Sequence, residues 1–436
     1  MQVKTLILGG GMAGLSTAYH LKESGLTDYL VVEKEQKVGG LCRSIYKDGF
    51  IFDYGGHLLH LHTQYGKGVI KKLLQNNLNC ISRKAWIYAD NYRVPFPFQS
   101  NLYALPSHVR DKCIEGLLKI SGSQKGVSPQ NFEEWCISSF GEGIYKVFMY
   151  PYNRKLWGCE PKDLTCDWCG KFVPAPSMCE IKESAIMKPC KKYGYNSSFY
   201  YPKHGGCEAV IEALTKSVSQ ILVDTEISQI DLRKRKVFAD GAVLSYDYLV
   251  NTLPLSRFLY MLQSSPLTLY AEKLRSQDIT VFLIAIKGNR QPFSWIYFPN
   301  KEDPFFRVGM QSSFSSNNAP SGCYSYYVEM PGGITPSILM EKRIIQALSK
   351  YNLINDSDEV LFSIWEHIPN AYVIYDSYRS HIVKKVLKDL ESFYCYCAGR
   401  YGMWEYSFME RALIQGKEVA EKIINNSTKV PSEAIL

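Results

Sequence analysis

The first forty-four residues limit what this chain can fold into more than any other stretch. A short apolar strand, Val3 to Leu8, runs into Gly9-Gly10-Gly11-Met12-Ala13-Gly14 and then into a helix-like stretch from Leu15 to Ser24. A second apolar strand, Tyr29 to Val32, ends at Glu33-Lys34 and leads to Gly39-Gly40-Leu41-Cys42-Arg43-Ser44. Strand, glycine turn, helix and acid-terminated strand are the parts of a dinucleotide-binding βαβ unit. Gly9 permits the tight turn, and Gly11 lets the backbone approach a pyrophosphate. Gly14 lets the helix pack closely on the sheet, so that Met12 and Ala13 bring the positive end of the helix to the phosphates. Glu33 is placed to accept hydrogen bonds from ribose hydroxyls.

The dinucleotide reads as FAD rather than NAD. An acid at position 33 argues against a 2′-phosphate. The added Gly39-Gly40-Leu41-Cys42-Arg43 loop resembles that of amine-oxidase-type flavoproteins. The resemblance implies that the loop passes over the pyrophosphate and that Arg43 reaches a phosphate.

At 436 residues the chain exceeds one compact core, so two or three domains are expected. It has no apolar run of the roughly 18 residues that a membrane span requires. It has no basic leader with a cleavage site either. Both observations lead to the expectation of a cytoplasmic protein without membrane insertion. The net charge of +8 fits an anionic ligand. No basic run carries interleaved aromatics, so nucleic acid is not expected. The thirteen cysteines read as thiols. Cys166-Asp167-Trp168-Cys169 has redox or zinc spacing, but no matching second pair follows and no metal is expected.

Later segments return to the first sheet. A strand-like Gln220 to Asp231, containing Ile227, is followed by Arg233 to Phe238 and Ala242 to Asn251, with Thr252 just beyond. Phe393 to Gly402 is a third return, ending in Gly399-Arg400, and a long helix follows from about Ser407 to Ile424. Cofactor segments at the start, middle and end imply inserted domains. The expected class is α/β, with a discontinuous Rossmann-type FAD-binding domain over 1–78, 205–262 and 386–436. A mostly helical insert is expected over 101–200, broken at Pro129, Pro151 and Pro161, with an aromatic-rich loop at 190–206. An antiparallel sheet substrate domain is expected over 79–100 and 263–385. Its strands read as Ile279 to Ile286, Ser294 to Phe298, Phe305 to Gln311, Tyr324 to Glu329 and Val360 to Ile368, interrupted by a helix from Ile338 to Tyr351. The tail after Asn425 is expected to fray.

Five further segments carry a specific resemblance. Phe52-Asp53-Tyr54-Gly55-Gly56-His57-Leu58-Leu59-His60 resembles the histidine loop of the UDP-galactopyranose mutases. Val94 to Leu102 (VPFPFQSNL) and Pro151 to Trp157 (PYNRKLW) are similar to two more of their elements. Ser294 to Pro299 with Pro304 to Arg307, and Gly399 to Tyr406, match two others in order along nearly the whole chain. The resemblance implies a GR2-like flavin fold and a pyranose–furanose mutase of a nucleotide-diphosphate sugar, with reduced flavin N5 as nucleophile at the anomeric carbon. The cofactor then does the covalent chemistry, while the protein grips and orients. An external reductant, with NAD(P)H as a candidate, is needed to reduce the flavin.

Residue by residue, the resemblance places His57 against the flavin, in a loop with Tyr54, Gly55 and Gly56. It places Phe96, Phe98, Gln99, Asn153 and Trp157 around the uridine, and Trp295 on the sugar side. Arg307 would pair with the diphosphate, where a planar guanidinium suits phosphate oxygens. Tyr297, Tyr372 and Tyr406 would donate hydrogen bonds to the phosphates, and Arg400 would sit at the flavin or pyrophosphate. His62 falls on a second loop histidine of the family and His60 does not; neither is assigned a role.

Two departures bear on the substrate. The family's second diphosphate arginine belongs where this chain has Phe172, leaving Lys171 as the nearest cation. Losing one charge-assisted contact costs roughly 1.5–3 kcal/mol of binding. Ser407-Phe408-Met409-Glu410 also replaces the endings the family carries after its tyrosine. Two other readings compete: a flavin oxidoreductase of the amine-oxidase or protoporphyrinogen-oxidase type, and a flavin carrier without catalysis of its own.

Overall fold

The structure is a computed structural model that describes residues 1–89, 92–120, 128–191, 193–194 and 196–427. The segment expected to fray lies outside these from 428 onward. Strand β1 (Gln2–Leu8) pairs in parallel with β2 (Tyr29–Val32) on one side and with Ala242–Asn251 on the other; Cys395–Cys397 pairs in parallel with the latter. Leu6, Ile7, Leu8 and Val31 are fully buried. A parallel strand covered on both faces needs consecutive apolar residues, which is why these segments read as runs rather than alternations.

Helix α1 (Met12–Glu23) begins three residues before the expected start, with Gly11 at its N-cap. It is covered by the late helix Met409–Ser427. Ser16 Oγ donates to the Leu413 carbonyl at 2.7 Å, and a side chain at Gly416 would strike Ser16 Cβ at 2.6 Å.

The segment 220–231 is not one strand. Ile221–Leu222 pairs with β2, whereas Ile227–Asp231 starts an antiparallel meander through Lys236–Ala239 into Ala242–Asn251. Between them Asp224 adopts φ 52°, and the Asp224 and Thr225 amides donate to the carbonyls of Glu35 and Glu33. Hydrogen bonds to a distant segment therefore override the local apolar pattern.

The second sheet runs in the order Glu359–Val373, Ser276–Lys287, Cys323–Pro331, Arg307–Met310, Trp295–Tyr297, Ala85–Ala89, Tyr92–Pro95. It is mixed rather than wholly antiparallel, because Trp295–Tyr297 runs parallel to Ala85–Ala89. The chain between these strands is long, so no hairpin fixes their relative direction. Helix Ile338–Lys350 buries Ile344 and Leu348 in a cluster with Phe282, Ile284 and Val328 of this sheet.

The intervening chain contributes the helices Ser107–Ile120, Phe132–Ile144 and Tyr150–Trp157. Pro151 does not break the chain as expected. It sits in the first turn of Tyr150–Trp157, where its missing N–H is tolerated, after a π-turn at Tyr145–Met149. Among the described residues no helix is long and apolar enough to cross a membrane.

One buried carboxylate ties these parts together. Asp53, fully buried, accepts from Ser44 Oγ (2.6 Å), Tyr201 hydroxyl (2.6 Å), Cys207 N (2.9 Å) and Gln311 Nε2 (2.9 Å). Gln311 follows a strand of the second sheet, while Ser44 and Cys207 belong to segments packed on the first. Burial pushes the Asp53 carboxyl up, and these four donors oppose it. Asp53→Ala leaves four buried donors without an acceptor, so urea unfolding of the variant is expected to show a loss of about 3 kcal/mol or more. Asp53→Asn, which keeps the volume and one acceptor oxygen, should lose less; equal losses would mean that the carboxylate's full set of acceptors, rather than the volume it fills, sets the effect.

Candidate active site

A cleft of about 460 Å³ is lined by residues from the first sheet, the second sheet and the helices between them. At one end lies the glycine turn. Gly9 (φ 99°) donates to Val32 O at 2.8 Å, and a Cβ there would meet Thr252 Oγ1 at 2.4 Å. A Cβ at Gly14 would lie 2.0 Å from Gly9 O, so the helix and the turn touch through backbone. By contrast, a Cβ at Gly11 would meet nothing within 4 Å, and that open space faces the cleft.

The first turn of α1 carries no side-chain cap and no acid, so its amides remain available to an anion. Glu33 lines the same end, its Oε2 accepting from Gly10 N at 2.8 Å and its Oε1 from Glu35 N at 3.0 Å. Each carboxylate oxygen keeps a lone pair for a hydroxyl. Gly39 and Gly40 cross over this end: Gly39 N donates to Gly10 O at 2.9 Å, and Gly11 and Gly39 form a bridge. Room for a pyrophosphate, uncapped amides and a hydroxyl acceptor together fit FAD.

Beyond the glycines the cleft opens into an aromatic and cationic chamber. Tyr372 and Tyr406 stack at 5.8 Å, and Trp157 meets them edge-on at 5.6 and 6.1 Å. The Arg400 guanidinium lies over both tyrosine rings, at 5.5 Å from Tyr372 and 4.7 Å from Tyr406. Its Nε and Nη2 donate to the carbonyl of Ala371 and its Nη1 to that of Ser407. No carboxylate among the described residues neutralises it. Arg307 stands opposite Glu329 on the neighbouring strand and makes a two-point pair with it, Nε to Oε2 and Nη2 to Oε1 (2.7 Å). Phe96 lies 5.2 Å from Tyr297, with the Arg83 guanidinium 4.6 Å over its ring.

His57 enters the chamber from the loop that follows Asp53. Gly55 takes φ 102° there, and a Cβ at Gly56 would lie 2.8 Å from the Tyr327 hydroxyl, so both glycines let the loop lie directly on the sheet. The His57 Nδ1 is closed off from solvent and has no hydrogen-bond partner among the described residues. Burial, then the charges of Arg400 and Arg307, push this imidazole down to about 4. It is therefore neutral at pH 7, with one donor and one acceptor nitrogen. Lys155, half-buried, donates from Nζ to the carbonyls of Phe298 (3.3 Å), Asn300 (2.7 Å) and Phe305 (2.6 Å). It pins the turn between Tyr297 and Arg307 to the helix carrying Asn153 and Trp157. Burial lowers its ammonium to about 8.

Most of the residues picked from sequence line the cleft: Gly9, Gly11, Met12, Ala13, Glu33, Gly39, Gly40, Leu41, Tyr54, Gly56, His57 and Thr252 toward the glycines, with Phe96, Gln99, Asn153, Trp157, Trp295, Tyr297, Arg307, Tyr372, Gly399, Arg400 and Tyr406 beyond. Asn153 spends its amide locally, donating to Met149 O (2.8 Å) and accepting from Trp157 Nε1 (3.2 Å).

Others lie elsewhere. Phe98 is fully buried and stacks on Phe148 at 5.3 Å, because its short 3-10 turn sends it away from the face that carries Phe96. Lys171 is exposed and outside the lining, while Phe172 lines the cleft against Tyr406 at 4.6 Å; the missing arginine is thus replaced by an aromatic wall. Lys34 is exposed and pairs with Glu35 at 3.2 Å. Arg43 folds back onto Gly40 O (3.1 Å) and over the Tyr54 ring, off the cleft surface. Gly14, Gly55 and Ile227 are not among the residues that line the cleft.

The sequence reading missed Glu329, Tyr327, Tyr152 and Asn196, all of which line the cleft. An acid inside an apolar strand ending at Glu329 was the available signal for the first, since alternation puts Tyr327 and Glu329 on one face. His60 lines the cleft and His62 does not. Glu410, in the departing segment after Tyr406, turns away to accept from the amides of His62 (3.0 Å) and Thr63 (2.9 Å).

The chain is 25% identical over 210 residues to dTDP-fucopyranose mutase of Escherichia coli, covering 47% of this chain and 50% of that one. It is 25% identical over 166 residues to "Probable UDP-galactopyranose mutase" of Klebsiella pneumoniae, covering 36% and 42%. The matches thus span about half the length of these curated relatives or less. The crystal structure of a reduced UDP-galactopyranose mutase superposes with a TM-score of 0.92 at 28% identity, over 98% of this chain and 96% of that one. FAD is the cofactor. Residues 12–424 match the profile of the flavin containing amine oxidoreductases, and the chain belongs to that family.

Proposed function

We propose that this protein is an FAD-dependent pyranose–furanose mutase acting on a nucleotide-diphosphate sugar, UDP-galactopyranose or a close relative, with reduced flavin. The observation that carries the reading is the continuity of the dinucleotide cradle with a chamber where two guanidiniums, Arg307 and Arg400, meet Tyr297, Tyr372 and Tyr406. An amine or porphyrinogen oxidation needs an apolar tunnel over the ring and has no use for this set. The likeness to mutases along nearly the whole fold supports the same reading.

Bound and reduced, FAD would supply the nucleophile for the anomeric carbon; the remaining work falls to side chains. Arg400, paired among the described residues only with carbonyls, keeps its full charge for a diphosphate. Arg307 shares its charge with Glu329, which fixes the plane of the fork and leaves Nη1 to reach a phosphate oxygen. The buried tyrosine hydroxyls stay protonated, burial raising Tyr297 and Tyr372 above their ordinary range, and so remain donors. Neutral His57 adds no charge beside the two arginines. In this reading the flavin segments form one discontinuous domain, an external reductant (NAD(P)H is one candidate) reduces the flavin, and the enzyme works in the cytoplasm.

Three measurements test this. Dithionite-reduced holoenzyme given UDP-galactose, UDP-N-acetylgalactosamine or a dTDP-6-deoxyhexose should yield an isomeric nucleotide sugar on chromatography; oxygen-dependent peroxide release from an amine, with no isomer from any sugar, would refute the proposal. Arg307→Ala should weaken nucleotide-sugar binding roughly 10- to 100-fold while flavin absorbance is retained; unchanged affinity would remove Arg307 from the site. The third concerns pH. With its imidazole held at about 4 rather than 6.5, the unfolded chain takes up a proton between those values that the folded chain refuses. Stability due to His57 is therefore present above the upper value and lost as pH falls toward the lower. The His57 ring nitrogens in labelled holoenzyme should show no protonation shift between about pH 7.5 and 5.5 by NMR, where a free histidine titrates.

A further inference from the structure

One cation beside the chamber takes no part in the chemistry proposed above. Lys155, on the helix Tyr150–Trp157, directs its ammonium at a single turn of chain. It donates to the carbonyls of Phe298 (3.3 Å), Asn300 (2.7 Å) and Phe305 (2.6 Å). An ammonium has three N–H groups and no acceptor, so three converging carbonyls saturate it. The turn they belong to joins Tyr297 to Arg307, and these two residues stand opposite each other in strand register. The same helix touches this hairpin again where the Tyr152 ring meets Tyr297 edge-on at 5.2 Å.

The tip of the turn is held elsewhere. Asp303, 4% exposed, accepts from the Tyr351 hydroxyl at 2.8 Å, and Arg343 Nη2 donates to Glu302 O at 3.1 Å. Both bonds lead to the helix Ile338–Lys350 and to the residue that caps it. That helix does not line the cleft, whereas Tyr152, Asn153, Leu156 and Trp157 do. Lys155 therefore joins the hairpin to a wall of the cleft by hydrogen bonds, and the other anchors do not.

Resting on the nucleotide-sugar reading above, we infer that Lys155 is a positioning residue for the diphosphate: its three bonds set where Tyr297 and Arg307 stand, and losing one of them loosens the grip on a nucleoside diphosphate. The amine loses one by giving up its proton, which leaves two N–H groups and a lone pair facing a carbonyl. Burial lowers the ammonium to about 8; Asp303 opposes the fall and Arg343 adds to it. Tyr351, the partner of Asp303, is raised by burial, and Arg154 on the same helix pairs with Glu160 at 2.6 Å. In the chamber His57 is held at about 4, while Tyr297 and Tyr372 are raised above their ordinary range. The three bonds are complete below a pH of about 8 and incomplete above it, so affinity falls as pH rises through that value.

The test is calorimetric titration of oxidised holoenzyme with UDP between about pH 7 and about pH 9. Wild-type affinity should fall roughly 3- to 10-fold across this range. Lys155→Met should bind UDP roughly 10-fold more weakly at about pH 7, with the flavin spectrum intact, and show no further fall. In turnover the same variant should raise KM more than it lowers kcat, because ground and transition states share the grip. A wild-type affinity constant within about twofold over the range, or a fall that persists in Lys155→Met, would overturn the assignment and leave the mutase proposal standing. If Lys155→Met does not fold, Asp303→Asn decides. It removes the carboxylate that favours the ammonium, so the fall should begin at lower pH, and an unmoved profile would overturn the assignment. A wild-type enzyme that neither binds UDP nor isomerises any nucleotide sugar would instead bring down the underlying reading.

Discussion

The Asp53 carboxylate is the constraint around which the cleft is assembled. A lone buried carboxylate is expensive in a protein interior and is tolerated only when its lone pairs are filled. Here four donors fill them, and they come from four separate segments of the chain. The same residue ends the strand Phe50–Asp53, so the loop that follows begins at a fixed point. From there Gly55 and Gly56 can lie flat on the second sheet, and His57 arrives in the chamber at a set place. Holding the two sheets at one distance is therefore the same act as aiming the histidine loop.

The charges of the chamber follow a related logic. Arg307 is held by a carboxylate and Arg400 by carbonyls, so one cation is compensated and the other is not. The compensated one is geometrically rigid; the uncompensated one supplies the field for an anion. Phe172, where the resemblance led to the expectation of an arginine, closes one side of the chamber with an aromatic ring. A site with fewer positive charges and more aromatic surface grips a diphosphate less by charge and more by stacking and shape.

Much of this was legible from the residues in order, for physical reasons. The glycine turn, the helix after it and Glu33 lie close together in the chain, so their spacing alone encodes the cradle. The strands of the second sheet show themselves by alternation, as in Glu359–Val373, or by an unbroken apolar run, as in Ser276–Lys287. What spacing could not show were partnerships made across the fold. Glu329 meets Arg307 only through strand register, and Asn196 meets Arg83 only because Ser198–Tyr201 pairs with Asn79–Ser82. Phe98 and Lys171 were misplaced for the complementary reason: each stands beside a cleft residue in sequence, but on a short turn of helix whose neighbours point in different directions. The split at Asp224 escaped notice because its cause, the carbonyls of Glu33 and Glu35, lies far upstream.

The packing of α1 against Met409–Ser427 bears on how the molecule is made. Helix α1 carries the amides for the cofactor phosphates, yet the surface it rests on is translated 397 residues later. Ser16 waits for Leu413, and the Gly399 amide waits for Gln415, whose Oε1 it reaches at 2.9 Å. Until synthesis has passed that glutamine, the nascent cradle has an open back, so prosthetic-group loading follows the translation of Gln415.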